Sequence, residues 1–160
     1  MVLFIIGTSA AAQNPKIDSV SQLILQSVND LEKARLYFIR SKLYLPGEIE
    51  KTMADAQESL ALYQKAGNPE GQVDAMVQVA NVYARQNKYD LALETSREAL
   101  QLARKHDYIA GQAFSLSNMG RNQAQLGNMA DAEAAYNEAI VLMKQSGNDK
   151  ELGDMYNRIG

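Results

Sequence analysis

Met76-Val77-Gln78-Val79-Ala80-Asn81-Val82-Tyr83 decides the fold of this chain, because its apolar pattern returns forty residues later. Leu116, Met119 and Gly120 take the places of Met76, Val79 and Ala80. In the segment that follows, Met129, Ala132, Ala139 and Leu142 take those of Tyr89, Ala92, Ala99 and Leu102. Self-similarity at a fixed interval of this size marks stacked helical hairpins, each too small to bury its apolar face alone. The same interval subtracted from Met76, Val79, Tyr83, Tyr89 and Ala99 lands on Leu36, Ile39, Leu43, Ile49 and Ser59, a third and weaker copy. Added to Leu116, Met119 and Gly120, it lands on Tyr156, Ile159 and Gly160, the start of a fourth copy at the last residue. An array needs its outermost apolar face covered, so a longer parent protein is expected.

Breakers divide the pattern at half and full period. The first hairpin is expected from about Leu31 to Ala66, interrupted at Pro46-Gly47 and closed by Gly67-Asn68-Pro69. The second runs from about Glu70 to Lys105 with a bend at Asn87, and the third from about Ile109 to Ser146 with a bend at Gly127-Asn128. Proline and glycine cannot continue a helix comfortably, and no alternating apolar run reads as a strand. The expected fold class is therefore all-α, antiparallel helix hairpins stacked into a solenoid over residues 31–160. Residues 13–30 read as one lead-in helix covering the first hairpin. Asn14 is suited to cap it, Pro15 to open it, and Ile17, Val20, Ile24 and Val28 recur at helical spacing.

The second unit resembles a tetratricopeptide repeat. Met76, Val79, Ala80 and Tyr83 stand where that family's first helix carries large, large, small and aromatic residues, and Tyr89, Ala92 and Ala99 follow in the second. The third unit matches through Leu116, Met119, Gly120, Gly127, Ala132, Tyr136 and Ala139, with Gln123 in place of the aromatic. The first offers Leu36, Ile39, Leu43, Gly47 and Ile49, but Arg40 and Thr52 stand where small residues belong. The resemblance implies a right-handed superhelix and the extended repeat of bacterial sensory and regulatory proteins. Close approach of two helices needs a small side chain, which Ala80 with Ala92, and Gly120 with Ala132, supply. Tyr83, Tyr89 and Tyr136 read as core or hairpin wedges with hydroxyls at the rim.

In that family the first helices form a concave, peptide-binding wall. The resemblance places its groove-facing positions on Tyr37, Ser41 and Tyr44, on Val77, Asn81 and Arg85, on Ser117, Arg121 and Gln125, and on Asn157. Asn81 falls where the family often bonds a peptide backbone, and Arg85 and Arg121 can hold a carboxylate through a two-pronged contact. Val77 departs from the lysine of the chaperone-tail clamp, which argues against chaperone binding. The same residues also read simply as a solvated helix face.

Composition excludes several other classes. The chain has 160 residues, 46% hydrophobic and 22% charged, with a net charge of −3 and no electrostatic footprint for nucleic acid. Without cysteine there is no disulfide, thiolate site or cysteine nucleophile. The single histidine, His106, is expected at a helix end where a cation suits the dipole, and no cofactor or metal is expected. The carboxylates Asp131, Glu133, Glu94 and Glu98 read as solvated faces, and no phosphate or calcium loop is present. An enzyme is not expected.

Residues 1–12 stand apart. Met1 to Gly7 is an apolar run too short to span a bilayer, and Thr8-Ser9-Ala10-Ala11-Ala12 supplies small residues before Gln13, as at the end of a signal peptide. Lys or Arg before the run is missing, which points to a true start upstream, and an apolar extension packed on the first repeat is the alternative. The combined expectation is an exported, non-catalytic module that binds a protein or peptide. It belongs to the sensory or scaffolding part of a longer bacterial signalling protein, a histidine kinase or transcription regulator, reaching the membrane only through a missing segment. A free-standing adaptor, a cytoplasmic location and self-association through the exposed terminal repeat are the alternatives.

Overall fold

The computed structural model describes residues 14–146. The signal-like segment 1–12, the fourth repeat and Asn157 lie outside the described residues. Within them run seven helices: α1 (Pro15–Gln26), α2 (Asp30–Ser41), α3 (Ile49–Lys65), α4 (Pro69–Arg85), α5 (Tyr89–Lys105), α6 (Ile109–Gln125) and α7 (Met129–Ser146). Helices α2/α3, α4/α5 and α6/α7 form three antiparallel hairpins, each packed on the next, with no strand among the described residues.

Caps explain where the helices begin. The side chain of Asn14 accepts from the Lys16 amide, that of Asn29 from Leu31 and Glu32, and that of Asn68 from Gly71, while Pro15 and Pro69 open their helices. Helix α1 stops at Gln26, short of the expected boundary. Ser27 turns extended and its hydroxyl donates to Glu32 at the start of α2, so Val28 falls outside the helix and is 96% exposed.

Their ends obey a stricter rule. Gly67, Asn87, Asp107 and Gly127 all have positive φ, between 52° and 83°, and stand twenty residues apart. After each, the next amide reaches back to a carbonyl five residues earlier: Asn68 to Tyr63, Lys88 to Tyr83, Tyr108 to Ala103 and Asn128 to Gln123. This left-handed cap closes α3, α4, α5 and α6 alike. The forty-residue period is thus two helices of 17 residues, each ended by the same joint.

Small residues sit where the hairpins close. Ala80, Ala92, Ala99, Ala132 and Ala139 are all buried. A Cβ on Gly120 would lie 2.8 Å from the Tyr136 ring and 3.1 Å from the Ala132 carbonyl oxygen, so α6 and α7 touch where glycine lets them. Glycine also admits a ring between units: a Cβ on Gly71 would lie 2.4 Å from Tyr63, and one on Gly111 equally close to Tyr108. Between and within units the core is filled by Val73, Val77, Ala99 and Ala103, then by Leu100, Ala113, Leu116, Ala139 and Met143.

The stack is curved. The backbones of the first helices approach one another across units, α2 with α4 and α4 with α6, whereas those of α3 and α5, and of α5 and α7, stand apart, so that α5 reaches α7 through long side chains such as the Arg104–Glu138 ion pair. First helices therefore line the inner wall, and second helices splay along the outer one.

Candidate functional site

Close packing of the first helices divides the nine described inner-wall positions into three sets. Ser41, Val77 and Ser117 are buried and unavailable to a partner. Val77 belongs to the core beside Val73, the Ser41 hydroxyl donates to the Phe38 carbonyl, and the Val77 carbonyl accepts from Asn118 of the next unit. The contact between successive first helices consumes that strip, which a pattern confined to one helix does not reveal. Tyr37 and Tyr44 form a second set in the first unit. They are half-buried beneath cations, with the Arg40 guanidinium 5.2 Å from the Tyr37 ring and the Lys51 ammonium 5.8 Å from the Tyr44 ring. Burial pushes the Tyr44 hydroxyl pKa up.

The third set is gathered in one place. Asn81, Arg85, Arg121 and Gln125 line an open groove of about 520 Å³ between α4 and α6, together with Gln78, Ala84, Asn122 and Tyr89 from the start of α5. Its lining holds two arginines and no acidic side chain. Arg121 donates to the Asn118 amide oxygen at 3.1 Å and to that of Asn81. Burial lowers its pKa, because the charged guanidinium has lost part of its water shell. Arg85 is exposed and donates to the carbonyls of Leu45 and Pro46 at the bend of the first hairpin. Gln78 reaches the Ser41 carbonyl at 3.4 Å, and Tyr89 donates to the Asn87 side chain at 2.9 Å. Polar rungs thus join each first helix to its predecessor, and their unused faces open into the groove.

Gln78, Asn122 and Tyr89 were not expected there. For Asn122 the sequence carries a signal: it stands forty residues after Val82, an amide at a position the second unit fills with valine. His106 is exposed at the end of α5, and Asp131, Glu133, Glu94 and Glu98 are exposed on helix surfaces. Among the described residues no group of three His, Cys, Asp or Glu could hold a metal ion, and no helix is long and apolar enough to cross a membrane.

Comparison with known proteins agrees with this architecture. Residues 71–145 match the tetratricopeptide-repeat family model. The structure of BtubC (BKLC) from P. vanneervenii superimposes with a TM-score of 0.70 at 18% identity, over 91% of this chain and 60% of that one. The fold is shared at that identity, and the chain spans three fifths of the length of that relative. No curated protein matches the chain.

Proposed function

Taking as premise that residues 71–145 are tetratricopeptide repeats, a fold that generally mediates protein–protein interaction, we propose that the α4–α6 groove is where this module grips an extended segment of a partner protein. The observation that carries the reading is the convergence of Asn81, Arg85, Arg121 and Gln125 in one open groove on the inner wall. The groove offers donors and acceptors to a backbone and two cations to its side chains. Peptides selected from a display library on the folded chain test it. Their binding should weaken at least tenfold in Arg85→Glu and stay unchanged in Arg97→Glu, an exposed change on the outer helix α5. Loss in Arg97→Glu alone would move the binding face to the outer wall.

The wider setting we propose, an exported sensory or scaffolding part of a longer signalling protein, is supported by residues 1–12 alone. A reporter fused after Gln13, active only outside the cytoplasm, checks export. A full-length gene with neither a membrane span nor an effector domain would remove the sensor version and leave an adaptor.

A further inference from the structure

A second groove lies at the opposite end of α4. It opens between the starts of α2 and α4, beside the end of α3, holds about 600 Å³ and shares no residue with the α4–α6 groove. Glu32, Glu70 and Asp74 line it against one cation, Arg35, so its charge is opposite in sign to that of the other groove. Neither Glu32 nor Glu70 is neutralised by an ion pair among the described residues. Packing does not call for these acids, since forty residues on Glu70 and Asp74 give way to Ala110 and Phe114.

Tyr63 supplies an independent sign of a ligand. Its ring packs over Gly71, leaving the residue 8% exposed, and it lines the same groove. Tyr108 fills the matching notch over Gly111 and spends its hydroxyl on Asp74 at 3.0 Å, but the Tyr63 hydroxyl has no hydrogen-bond partner among the described residues. It is not sealed in either, because the unbonded side-chain atoms cut off from solvent there belong to Gln86 and Asn122. The Tyr63 hydroxyl therefore opens on the groove. Burial pushes its pKa up, with Asp74 adding to the rise and Arg35 opposing it, so the group is protonated at neutral pH and lies in the field of both. A hydroxyl so deeply set is seldom left unbonded.

We infer that this groove takes a lysine or arginine side chain of a partner protein, its N–H groups received by the Tyr63 hydroxyl and the Glu70 carboxylate, in the field of Asp74 and Glu32. The walls suit such a group at both of its ends. Phenolic oxygen and carboxylate accept the donors of the charged head. Leu31, 44% exposed at the rim, and the tyrosine rings bed the apolar stem that carries it. An anion would meet three carboxylates against one guanidinium. A metal ion does not fit either, because no three acidic or histidine side chains among the described residues are gathered to hold one.

The full chain, labelled with nitrogen-15, is titrated with the N-acetyl amides of lysine, arginine, citrulline and glutamate. Saturable shifts of the Gly71 and Asp74 backbone amides are expected with lysine or arginine, and none with neutral citrulline or anionic glutamate. The tighter of the two cations names the side chain. Tyr63→Phe, which removes only the hydroxyl, should weaken that binding about tenfold while the melting temperature stays level, because the fold makes no use of that oxygen. Glu70→Gln should weaken it several-fold. Equal response to citrulline, preference for glutamate, no saturable shift, undiminished binding by Tyr63→Phe, or a lowered melting temperature in that variant each overturns the inference. Should display-selected peptides still depend on Arg85 in that event, the α4–α6 groove stands and only this second site is lost.

Discussion

The first hairpin and the two that follow solve one packing problem by different chemistry. Where the later units bring Ala80 against Ala92, and Gly120 against Ala132, the first has Arg40 and Thr52. Arg40 does not nest. Its guanidinium crosses to α3 and clasps both carboxylate oxygens of Asp55 at 2.6 and 2.8 Å, then donates to Ser21 of α1 at 2.9 Å. Asp55 raises the Arg40 pKa in return, although burial opposes it. Thr52 is buried with its hydroxyl donating to the Glu48 carbonyl. The bend differs as well, seven residues from Lys42 to Glu48 against three from Gln86 to Lys88. Among the described residues the first hairpin is preceded by the single helix α1, and the ion pair that also reaches Ser21 fastens that helix to it.

The largest expected effect breaks that clasp. Arg40→Met leaves the Asp55 carboxylate buried without its partner and should lower stability in urea by about 3 kcal/mol. Arg40→Met combined with Asp55→Leu should recover most of the loss, as buried pairs replaced by apolar groups often do. A single variant as stable as wild type would erase the distinction between the hairpins. Next comes overpacking of the other mode: Ala132→Leu or Ala92→Leu should cost about 1–3 kcal/mol, read as a lowered melting temperature. An unchanged value in both would mean that small side chains do not set the helix spacing.

Smaller changes sharpen the contrast. Asp107→Gly relieves a left-handed residue at the joint between the second and third hairpins and should raise stability by roughly 0.5–1 kcal/mol in thermal denaturation. A drop would show that the aspartate side chain does more there than tolerate its φ. The least effect concerns acid. Lys65 holds the Asp30 carboxyl below its usual range, and Lys51 does the same for Glu48, both in the first hairpin. A depressed carboxylate adds stability above its unfolded pKa and surrenders it as pH falls through the folded one, so the contribution fades from about pH 4 downward. Both pairs are exposed and screened by salt. Hydrogen exchange between neutral pH and about pH 3 should therefore show α2 and α3 losing protection slightly before α6 and α7.

These differences mark what could be read in the residues beforehand. Gly67-Asn68-Pro69 and Gly127-Asn128 announced helix ends because glycine and proline have few other uses mid-pattern, whereas Asp107 adopts the same φ without a glycine to signal it. Arg40 and Thr52 stood out as departures, but Asp55 did not, since a partner across a seven-residue bend obeys no period. The inner wall was legible as a face and not as a surface. Which of its members another unit covers depends on how closely α4 approaches α6, and only an apolar residue such as Val77 hinted at it.

The joints at residues 67, 87, 107 and 127 also govern how this molecule can change its length. One residue added inside a helix turns everything beyond it by about 100° and carries Arg121 away from Asn81. Added at a joint, it merely enlarges a loop. Whole blocks cut and rejoined at these points keep every side chain facing its old direction, so the array can be lengthened, shortened or shuffled by duplication without redesigning any single helix.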